Sequence, residues 1–378
     1  MNNRVLITGG AGFIGSNLAN KLIEKGYIVT VLDNLSKQIH GENHEDSPLY
    51  KNIKHKVSFI YGDVRNKADW EIALKNQDSI IHLAAETGTG QSMYEVEKYS
   101  DVNVSGTAIM LDLIQNKKCE IKKIVVASSR AIYGEGKYHC AEHGEIYPLQ
   151  RTQQCMLKGD FQIKCPCCNK DAREIPTSED SLTNCLSIYA LTKYMQENMC
   201  MMIGKAMDIP VVSLRYQNVY GPGQSLANPY TGILSIFSTR IKNGNDINIF
   251  EDGKESRDFV YIDDVVDATI LALEKEEANY ECFNVGSGRP VNVLEVAELL
   301  KKKFNSDIHI HISGNYRIGD IRHNYADLLK IKKMLGFAPK YEFEYGISRF
   351  VDWVNKQAIN DDNYDRSIEE LKVKGLYK

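Results

Sequence analysis

The sequence lacks a hydrophobic run long enough to cross a membrane. No apolar stretch reaches the roughly 18 residues that a membrane-spanning helix requires, although 43% of the 378 residues are hydrophobic. The first residues also lack the cleavage region of a secretory signal, because the chain passes from Arg4 directly into an apolar run at 5–7. We therefore expect a soluble protein of the cytoplasm that does not act on membranes.

An excess of basic residues is absent as well. The chain has 46 Lys and Arg against 50 Asp and Glu, and its formal net charge is -4 at pH 7. Nucleic-acid-binding domains usually carry a clustered basic excess, so we do not expect nucleic acid as a partner. The nine cysteines are an odd number in a chain without an export signal, which favours free thiols or metal ligands over a disulfide framework.

Short β-rich runs alternate with longer stretches of helical period over the first 220 residues. This alternation predicts an α/β fold with a Rossmann-like, doubly wound parallel sheet. We expect an NAD-binding domain over 1–221 that carries an insertion over 135–187. A smaller, interleaved α/β substrate domain is expected over 222–378, with 256–275 returning to the first domain. The polar tail from Asn360 is expected to be a surface extension.

A glycine-rich segment, TGGAGFIG at 8–15, follows the first predicted strand and opens a predicted helix. Glycines in this spacing let the backbone approach a pyrophosphate at the positive end of the helix. Asp33 ends the second strand, where its carboxylate can accept hydrogen bonds from an adenosine ribose and would repel a 2′-phosphate. NAD is therefore favoured over NADP. The predicted NAD contacts are Gly9, Gly12, Phe13, Ile14, Gly15, Asp33, Asn34, Asp63, Val64, Leu83, Ala84, Ala85, Tyr189 and Lys193.

Tyr189 and Lys193 are four residues apart, hence on one face of a predicted helix. A nearby ammonium lowers the pKa of a phenol and makes it a usable general base. This pair alone is more often a surface feature. Ser129 ends an apolar strand at the same sheet edge, where it brings a hydroxyl to the nicotinamide position or simply caps a turn.

Taken together, these motifs resemble the extended short-chain dehydrogenase/reductase superfamily, and within it the nucleotide-sugar epimerases and dehydratases. The resemblance covers Arg4 to about Phe350 and includes HLAA at 82–85 and RYQNVYGP at 215–222. It implies a homodimer with four catalytic residues. Tyr189 would be the base for a sugar hydroxyl, Lys193 would hold the nicotinamide ribose, Ser129 would bind the reacting oxygen and Asn103 would complete the proton relay.

The same resemblance implies a clamp for the nucleotide diphosphate, formed by Asn218, Arg257 and Arg317. Arginine suits phosphate because its guanidinium binds two oxygens at once. Without the resemblance, Arg257 beside Asp258 is more simply interpreted as a surface ion pair. The predicted substrate contacts are Thr87, Ser129, Arg130, Asn218, Asn228, Arg257, Arg317 and Asp320.

Arg130 and Ala131 follow Ser129, at the positions where the family's 4,6-dehydratases carry Asp and Glu. Without that pair the enzyme can oxidise and re-reduce a carbinol but cannot expel the 6-hydroxyl. We therefore expect a nucleotide-sugar 4-epimerase. The Cys-rich insertion, together with GTGQSMYE at 88–95 and NPYTG at 228–232, most resembles the bacterial dTDP-L-rhamnose 4-epimerases. The alternatives are a UDP-hexose 4-epimerase, a dehydratase, reductase or decarboxylase on the same scaffold, and a non-catalytic NAD-sensing regulator.

Five of the nine cysteines fall within residues 140–168, inside the expected insertion. Cys140 and His143 form a C-x2-H pair, and Cys165 and Cys168 form a C-x2-C pair after a gap of 21 residues. Three thiolates and one imidazole are a typical tetrahedral zinc set, and four protein ligands indicate a structural ion. Free thiols in a polar loop are the alternative. A zinc knuckle that binds nucleic acid is disfavoured because the region has no dense basic face.

Overall fold

The computed structural model describes residues 3–117, 119–226, 228, 230, 232–358 and 362–378. Its strands are β1 (Arg4–Thr8), β2 (Ile28–Asp33), β3 (Ser58–Tyr61), β4 (Ser79–His82), β5 (Lys123–Ser129), β6 (Tyr138–Cys140), β7 (Gly144–Ile146), β8 (Arg173–Glu174), β9 (Val211–Tyr216), β10 (Asn218–Tyr220), β11 (Ile247–Ile249), β12 (Ser256–Tyr261), β13 (Cys282–Val285), β14 (Pro290–Asn292), β15 (Ile310–Ile312) and β16 (His323–Asn324).

The α-helices are α1 (Phe13–Glu24), α2 (Lys37–His40), α3 (Pro48–Ile53), α4 (Lys67–Ala73), α5 (Thr89–Ser92), α6 (Val96–Tyr99), α7 (Gly106–Lys117), α8 (Gln153–Met156), α9 (Ile188–Met207), α10 (Ile233–Lys242), α11 (Ile262–Glu274), α12 (Val293–Phe304), α13 (Leu329–Leu335), α14 (Phe343–Asn355) and α15 (Tyr364–Val373). A π-helix over Ser100–Ser105 runs directly into α7.

Seven parallel strands form the central sheet, in the order β3-β2-β1-β4-β5-β9-β13. All seven residues of β5 are buried, as expected for a strand that is covered by helices on both faces. The strand order reverses between β1 and β4, which opens a crevice at the carboxyl ends of these strands. The predicted Rossmann-like fold class is thereby confirmed.

The second half of the chain builds smaller sheets and also contributes to the large one. Strands β10, β12, β14 and β16 form a mixed sheet, and β11 pairs with β15. Strand β13 adds the last strand of the central sheet, and α11 packs on α1. Asn292 caps α12, since its side chain accepts the backbone N–H of Glu295 at 2.7 Å.

The insertion folds as a lobe, which we define as residues 135–187. Strands β7, β6 and β8 form an antiparallel sheet in this lobe. Its own small core is separate from the cores around the central sheet and consists of Tyr138, Cys140, Ile146, Ile163 and Cys165.

The C-terminal tail differs from the predicted surface extension. Tyr364 and Leu371 of α15 are buried, and the backbone N–H of Ile318 donates to the carbonyl of Leu376 at 3.0 Å. The tail is polar on average, but Tyr364, Ile368 and Leu371 share one helix face, and that face packs on the molecule. No described helix is both long and apolar enough to cross a membrane.

Candidate active site

A cavity of about 350 Å³ lies at the carboxyl edge of the central sheet, at the crevice between β1 and β4. Every predicted NAD contact except Asp63 lines it. Asp63 instead receives hydrogen bonds from Asn34 at 2.9 Å and from Arg65 at 2.9 and 3.0 Å. Burial opposes ionisation of Asp63, but the bonds from Arg65 outweigh it and lower the pKa to about 2.

The glycines of the first loop fit a pyrophosphate that approaches the backbone. A Cβ at Gly15 would lie 2.5 Å from the Cα of Gly10, and a Cβ at Gly9 would lie 2.8 Å from the amide nitrogen of Ala84. Gly9 also has a φ of 66°, which disfavours other residues. Only glycine therefore allows this loop to pack closely against the start of α1 and the end of β4.

Asp33 is held in place at the end of β2. One carboxylate oxygen accepts the backbone N–H of Ala11 and the other accepts that of Leu35, each at 2.9 Å. The carboxylate thus lines the cavity beside the glycine loop in a fixed orientation. This geometry fits the two hydroxyls of an adenosine ribose and disfavours a 2′-phosphate.

A second cavity of about 440 Å³ adjoins the first. Seven residues line both cavities: Thr87, Ser129, Tyr189, Tyr216, Gln217, Val219 and Gln224. Among the described lining residues of the second cavity, the charged side chains are Arg130, Arg257, Arg317 and Asp320. The net charge of this wall is positive, which suits an anionic ligand.

Ser129 and Tyr189 face each other where the two cavities meet. Burial raises the pKa of Tyr189, while a hydrogen bond from Ser129 and the charge of Arg130 act in the opposite direction. Burial, with the charge of Arg257, also lowers the pKa of Arg130 to about 10. Arg130 has no hydrogen bond or ion pair to any residue that the structure describes.

Lys193 lies one helical turn from Tyr189, and burial lowers the pKa of its ammonium to about 8. The ammonium donates to the side-chain oxygen of Gln196 at 2.6 Å. The charge of Arg130 also acts on the phenol, so Arg130 is a second cation beside Tyr189 in addition to the predicted Lys193.

Asn103 lies in the π-helix and is fully buried. Its side-chain oxygen accepts the N–H of Glu86 at 2.7 Å, and its amide donates to the Glu86 carbonyl at 3.1 Å and to Thr192 Oγ1 at 3.0 Å. Asn103 therefore joins the loop after β4 to α9, the helix that carries Tyr189.

The loop 316–322, which we call the substrate loop, presents Arg317 and Asp320 to the second cavity. These two side chains form an ion pair at 2.7 Å. Arg257 lines the same cavity and donates to the carbonyls of Ile321 at 2.7 Å and Arg322 at 3.0 Å. Interpreting Arg257 as a surface ion pair with its sequence neighbour is therefore wrong.

The remaining predicted substrate contacts occupy different places. Asp258, the neighbour of Arg257, is not one of these contacts: it is buried and accepts hydrogen bonds from the backbone of Ser287, Gly288 and Ala326. Asn218 lines the second cavity, and its buried side-chain oxygen has no partner among the described residues. Thr87 lines both cavities, whereas Asn228 lines only the first.

The four predicted metal ligands converge in the lobe. The ligand atoms of Cys140, His143, Cys165 and Cys168 all lie within 4.8 Å of one another. Sγ of Cys140 is 3.6 Å from Sγ of Cys168 and 3.6 Å from Nδ1 of His143. Ligand atoms around a tetrahedral zinc ion lie about 3.6–3.8 Å apart, given bond lengths of roughly 2.0–2.3 Å. The geometry of the cluster thus fits such an ion.

Sequence reasoning missed the face of α15 that lines the second cavity, formed by Tyr364, Ser367, Ile368 and Leu371. The apolar spacing of this helix, at positions i, i+4 and i+7, was a usable signal. Gln196 was also missed, and no local pattern marks it.

The fold and the first cavity are those of a dinucleotide-dependent enzyme, and a second cavity with a positively charged wall adjoins the first. Residues 6–150 match the family described as GDP-mannose 4,6 dehydratase, and residues 161–286 match the NAD dependent epimerase/dehydratase family. A dTDP-L-rhamnose 4-epimerase of Burkholderia thailandensis is 36% identical to this chain, over 94% of this chain and 95% of that protein.

Two solved structures share the fold over nearly the whole chain. UDP-glucose 4-epimerase of Thermotoga maritima, solved with UDP-glucose, has a TM-score of 0.76 and 31% identity, and covers 93% of this chain and 99% of its own. UDP-glucose 4-epimerase of Thermus thermophilus, solved with NAD, has a TM-score of 0.74 and 27% identity, and the match covers 94% of this chain and 100% of that one. The chain belongs to the NAD-dependent epimerase/dehydratase family, which confirms the family and the class of enzyme predicted from the motifs.

Proposed function

We propose that this protein inverts C4 of a nucleotide-activated sugar through a transient 4-keto intermediate, with dTDP-L-rhamnose and dTDP-6-deoxy-L-talose as the leading pair. One observation carries the proposal. Ser129 and Tyr189 line both cavities, so the hydroxyls lie where a cofactor in the first cavity meets a sugar in the second. The identity to the Burkholderia enzyme supports the choice of dTDP-L-rhamnose.

In this mechanism Tyr189 accepts the proton of the C4 hydroxyl, and Ser129 donates a hydrogen bond to the same oxygen. NAD, when bound, supplies the acceptor for the C4 hydride. Lys193 would hold the nicotinamide ribose, and Asn103 would complete the proton relay. Tyr189 then returns the proton when the other face of the keto sugar is reduced.

The keto sugar has to rotate within the active site without dissociating, so its diphosphate needs an anchor that stays fixed. Arg257, Arg317 and Asn218 supply that anchor, since two guanidinium groups and the Asn218 side-chain amide, whose NH2 group can donate to a phosphate oxygen, border the second cavity. Thr87, Arg130, Asn228 and Asp320 are the further proposed substrate contacts. Binding of a dianionic diphosphate agrees with the positive wall of the cavity.

Epimerisation is favoured over dehydration because Arg130 and Ala131 follow Ser129. A dehydratase needs an acid and a base at the sugar, and the one carboxylate among the described lining residues of the second cavity, Asp320, is paired with Arg317. The hydride leaves and returns to the same carbon, so the sugar mass stays unchanged and no NADH accumulates.

The test is incubation of the enzyme and NAD with dTDP-L-rhamnose, UDP-glucose and UDP-galactose, each followed by product mass and C4 stereochemistry by NMR. The expected product is an isomer of dTDP-L-rhamnose. Loss of one water, or NADH equal to product, would contradict epimerisation. An isomer from the UDP-hexoses alone identifies the enzyme as a UDP-hexose 4-epimerase, the alternative that the Thermotoga structure supports. No turnover of any sugar favours an NAD-sensing regulator.

We also propose a structural zinc ion at Cys140, His143, Cys165 and Cys168. Protein purified without chelator should hold about one equivalent of zinc. Cys165→Ser with Cys168→Ser should remove it, whereas Cys167→Ser is a matched control, because this neighbouring thiol is exposed and outside the cluster. Less than about half an equivalent in the wild type, or zinc that survives the double substitution, would contradict the site.

Three organisational proposals accompany this function. The division is an NAD-binding domain over 1–221 and a substrate domain over 222–378, with 256–275 returning to the first. The packing of α11 on α1 supports this return, although β12 pairs with β10 outside the central sheet and β13 also joins that sheet. Assembly as a homodimer is supported by exposed apolar side chains on α9, namely Leu191, Met195 and Met202. A cytoplasmic location suits the zinc thiolates, which need a reducing compartment. Light scattering of the purified enzyme tests the dimer.

A further inference from the structure

The lobe contacts the substrate loop through a buried arginine. Arg151 is only 9% exposed, and its guanidinium donates to the carbonyl of Asp320 at 3.0 Å and to the carboxylate of Glu251 at 2.6 Å. A second lobe residue, Glu135, accepts the backbone N–H of Arg322 at 2.7 Å. Polar groups of the lobe therefore bind both ends of the segment 320–322.

An apolar contact strengthens the same junction. Met156 and Phe161 of the lobe form a small buried cluster with Tyr316, and Ile318 packs against it. Tyr316 and Ile318 flank Arg317, whose side chain lines the second cavity. The lobe thus packs on both sides of the residue that we propose to bind the diphosphate.

Two arginines from separate parts of the chain hold successive carbonyls of the substrate loop. Arg151 binds the carbonyl of Asp320, and Arg257 binds those of Ile321 and Arg322. With its carbonyls fixed in this way, the loop can present Arg317 and Asp320 to the cavity. Arg151 itself does not line the cavity, so its effect on a ligand passes through the loop.

The cysteine cluster belongs to the core from which these contacts extend. Cys140 and Cys165 are buried in the lobe core with Ile163, and Phe161 lies two residues before Ile163. An ion that links Cys140 to Cys165 would tie β6 to the segment that carries Phe161. Loss of the ion would loosen this segment while the central sheet, which contains none of these residues, stays intact.

We propose that the lobe positions the substrate loop, with Arg151 as its main positioning residue, so that binding of the nucleotide sugar depends on the lobe and on its metal. The inference rests on the proposed function, because it takes the substrate loop as part of the diphosphate site. It assigns the insertion a role in substrate affinity rather than in the chemical step.

The experiment compares Arg151→Met with Arg173→Met, an exposed arginine on β8 of the same lobe that serves as the matched control. Loss of a buried hydrogen bond from a charged group is expected to raise KM for the sugar nucleotide about 10- to 100-fold. kcat should stay within about 3-fold, since no catalytic group moves. Affinity for NAD should not change, and Arg151→Lys, which keeps the charge beside Glu251, should restore part of the loss.

Binding of dTDP and UDP, measured by calorimetry, separates this inference from the proposed function. If Arg317→Ala does not weaken either nucleotide, the proposed diphosphate site is wrong. If Arg317→Ala weakens binding and Arg151→Met does not, the positioning role is wrong. In Arg317→Ala the additional effect of Arg151→Met should be small, because both residues act through one loop; fully additive effects would overturn the inference.

One further variant and one treatment of the wild type keep the test decisive. If Arg151→Met does not fold, Phe161→Leu, which trims the apolar contact, must raise KM without a matching fall in kcat. Removal of the metal by a chelator must also raise KM without a matching fall in kcat, while NAD still binds. An unchanged KM in either experiment would overturn the dependence that we propose.

Discussion

Gln196 joins Lys193 to Thr107 in a buried polar network behind the candidate catalytic residues. Its side-chain oxygen accepts from the Lys193 ammonium at 2.6 Å, and its amide donates to Thr107 Oγ1 at 2.9 Å. Thr107 in turn donates to the carbonyl of Asn103 at 2.6 Å. Two of the proposed catalytic residues are therefore held by one glutamine that contacts neither cavity.

Replacement of Gln196 by Met should leave the buried Lys193 ammonium without this partner. We expect the free energy of unfolding of the apo-enzyme to fall by about 1.5–3 kcal/mol, the range for a hydrogen bond to a charged group. Urea denaturation measures it, and saturating NAD should restore part of the loss. Gln154→Met, at an exposed position of the lobe, is the control. A loss no larger than that of the control would contradict this role of Gln196.

His82 makes the stability of the protein depend on pH. The ring is fully buried between Thr8 Oγ1 at 2.7 Å and Thr107 Oγ1 at 2.9 Å, and burial, with the charge of Lys193, lowers its pKa to about 3. The unfolded chain binds this proton near pH 6.5, so the stabilisation is present above that pH and is lost as the pH falls towards 3.

Between pH 7 and pH 5 this single group should cost about 2 kcal/mol of unfolding free energy, since each unit below 6.5 is worth about 1.4 kcal/mol. His82→Gln, which cannot titrate, should be less stable at pH 7 and should show a flatter pH dependence. Denaturation curves at several pH values check this. If the free energy of unfolding changes with pH equally in the wild type and in the variant, His82 is excluded as the source of the pH dependence.

Arg130 should set the pH range of turnover through its effect on Tyr189. Removal of its charge in Arg130→Met should raise the pKa of Tyr189, so the acidic limb of the kcat profile should move to higher pH. Arg130→Lys keeps a cation and should shift the profile less. An unchanged limb in the Met variant would assign the tuning to Lys193 instead.

Tyr189→Phe removes the proposed base but keeps the ring. Turnover should fall by about 10²–10⁴-fold, the typical contribution of a general base. NAD should remain bound, because the glycine loop and Asp33 are untouched. Single-turnover kinetics together with a cofactor titration check both parts. Activity near that of the wild type in a folded variant would exclude Tyr189 as the base.

The sequence predicts the dinucleotide-binding cavity well because the constraints on its residues are local. The positions of Gly9 and Gly15 follow from backbone clearance, and Asp33 follows from the end of a strand. The cysteine cluster was predictable for a related reason, since its two ligand pairs lie close together in the chain. In each case the residues that have to meet carry a signal in their own spacing.

The long-range contacts carry no such signal. Arg151 binds Glu251 and Asp320, which are 100 and 169 residues away, so nothing around Arg151 marks it as buried. Gln196 is one polar residue on a long helix until Thr107 and His82 are brought against it. The position of α15 over the second cavity likewise depends on partners from the substrate loop. Only the tertiary fold specifies these contacts.

The π-helix at Ser100–Ser105 makes the chain length in this segment as important as its composition. A π-turn contains one more residue than an α-turn, and a single deletion would convert it into an ordinary helix. Each residue of an α-helix turns the axis by about 100°, so such a deletion would rotate Asn103 away from Glu86 and Thr192. A single-codon loss here should be far more damaging than most substitutions, because it changes the phase of the helix rather than the nature of any side chain.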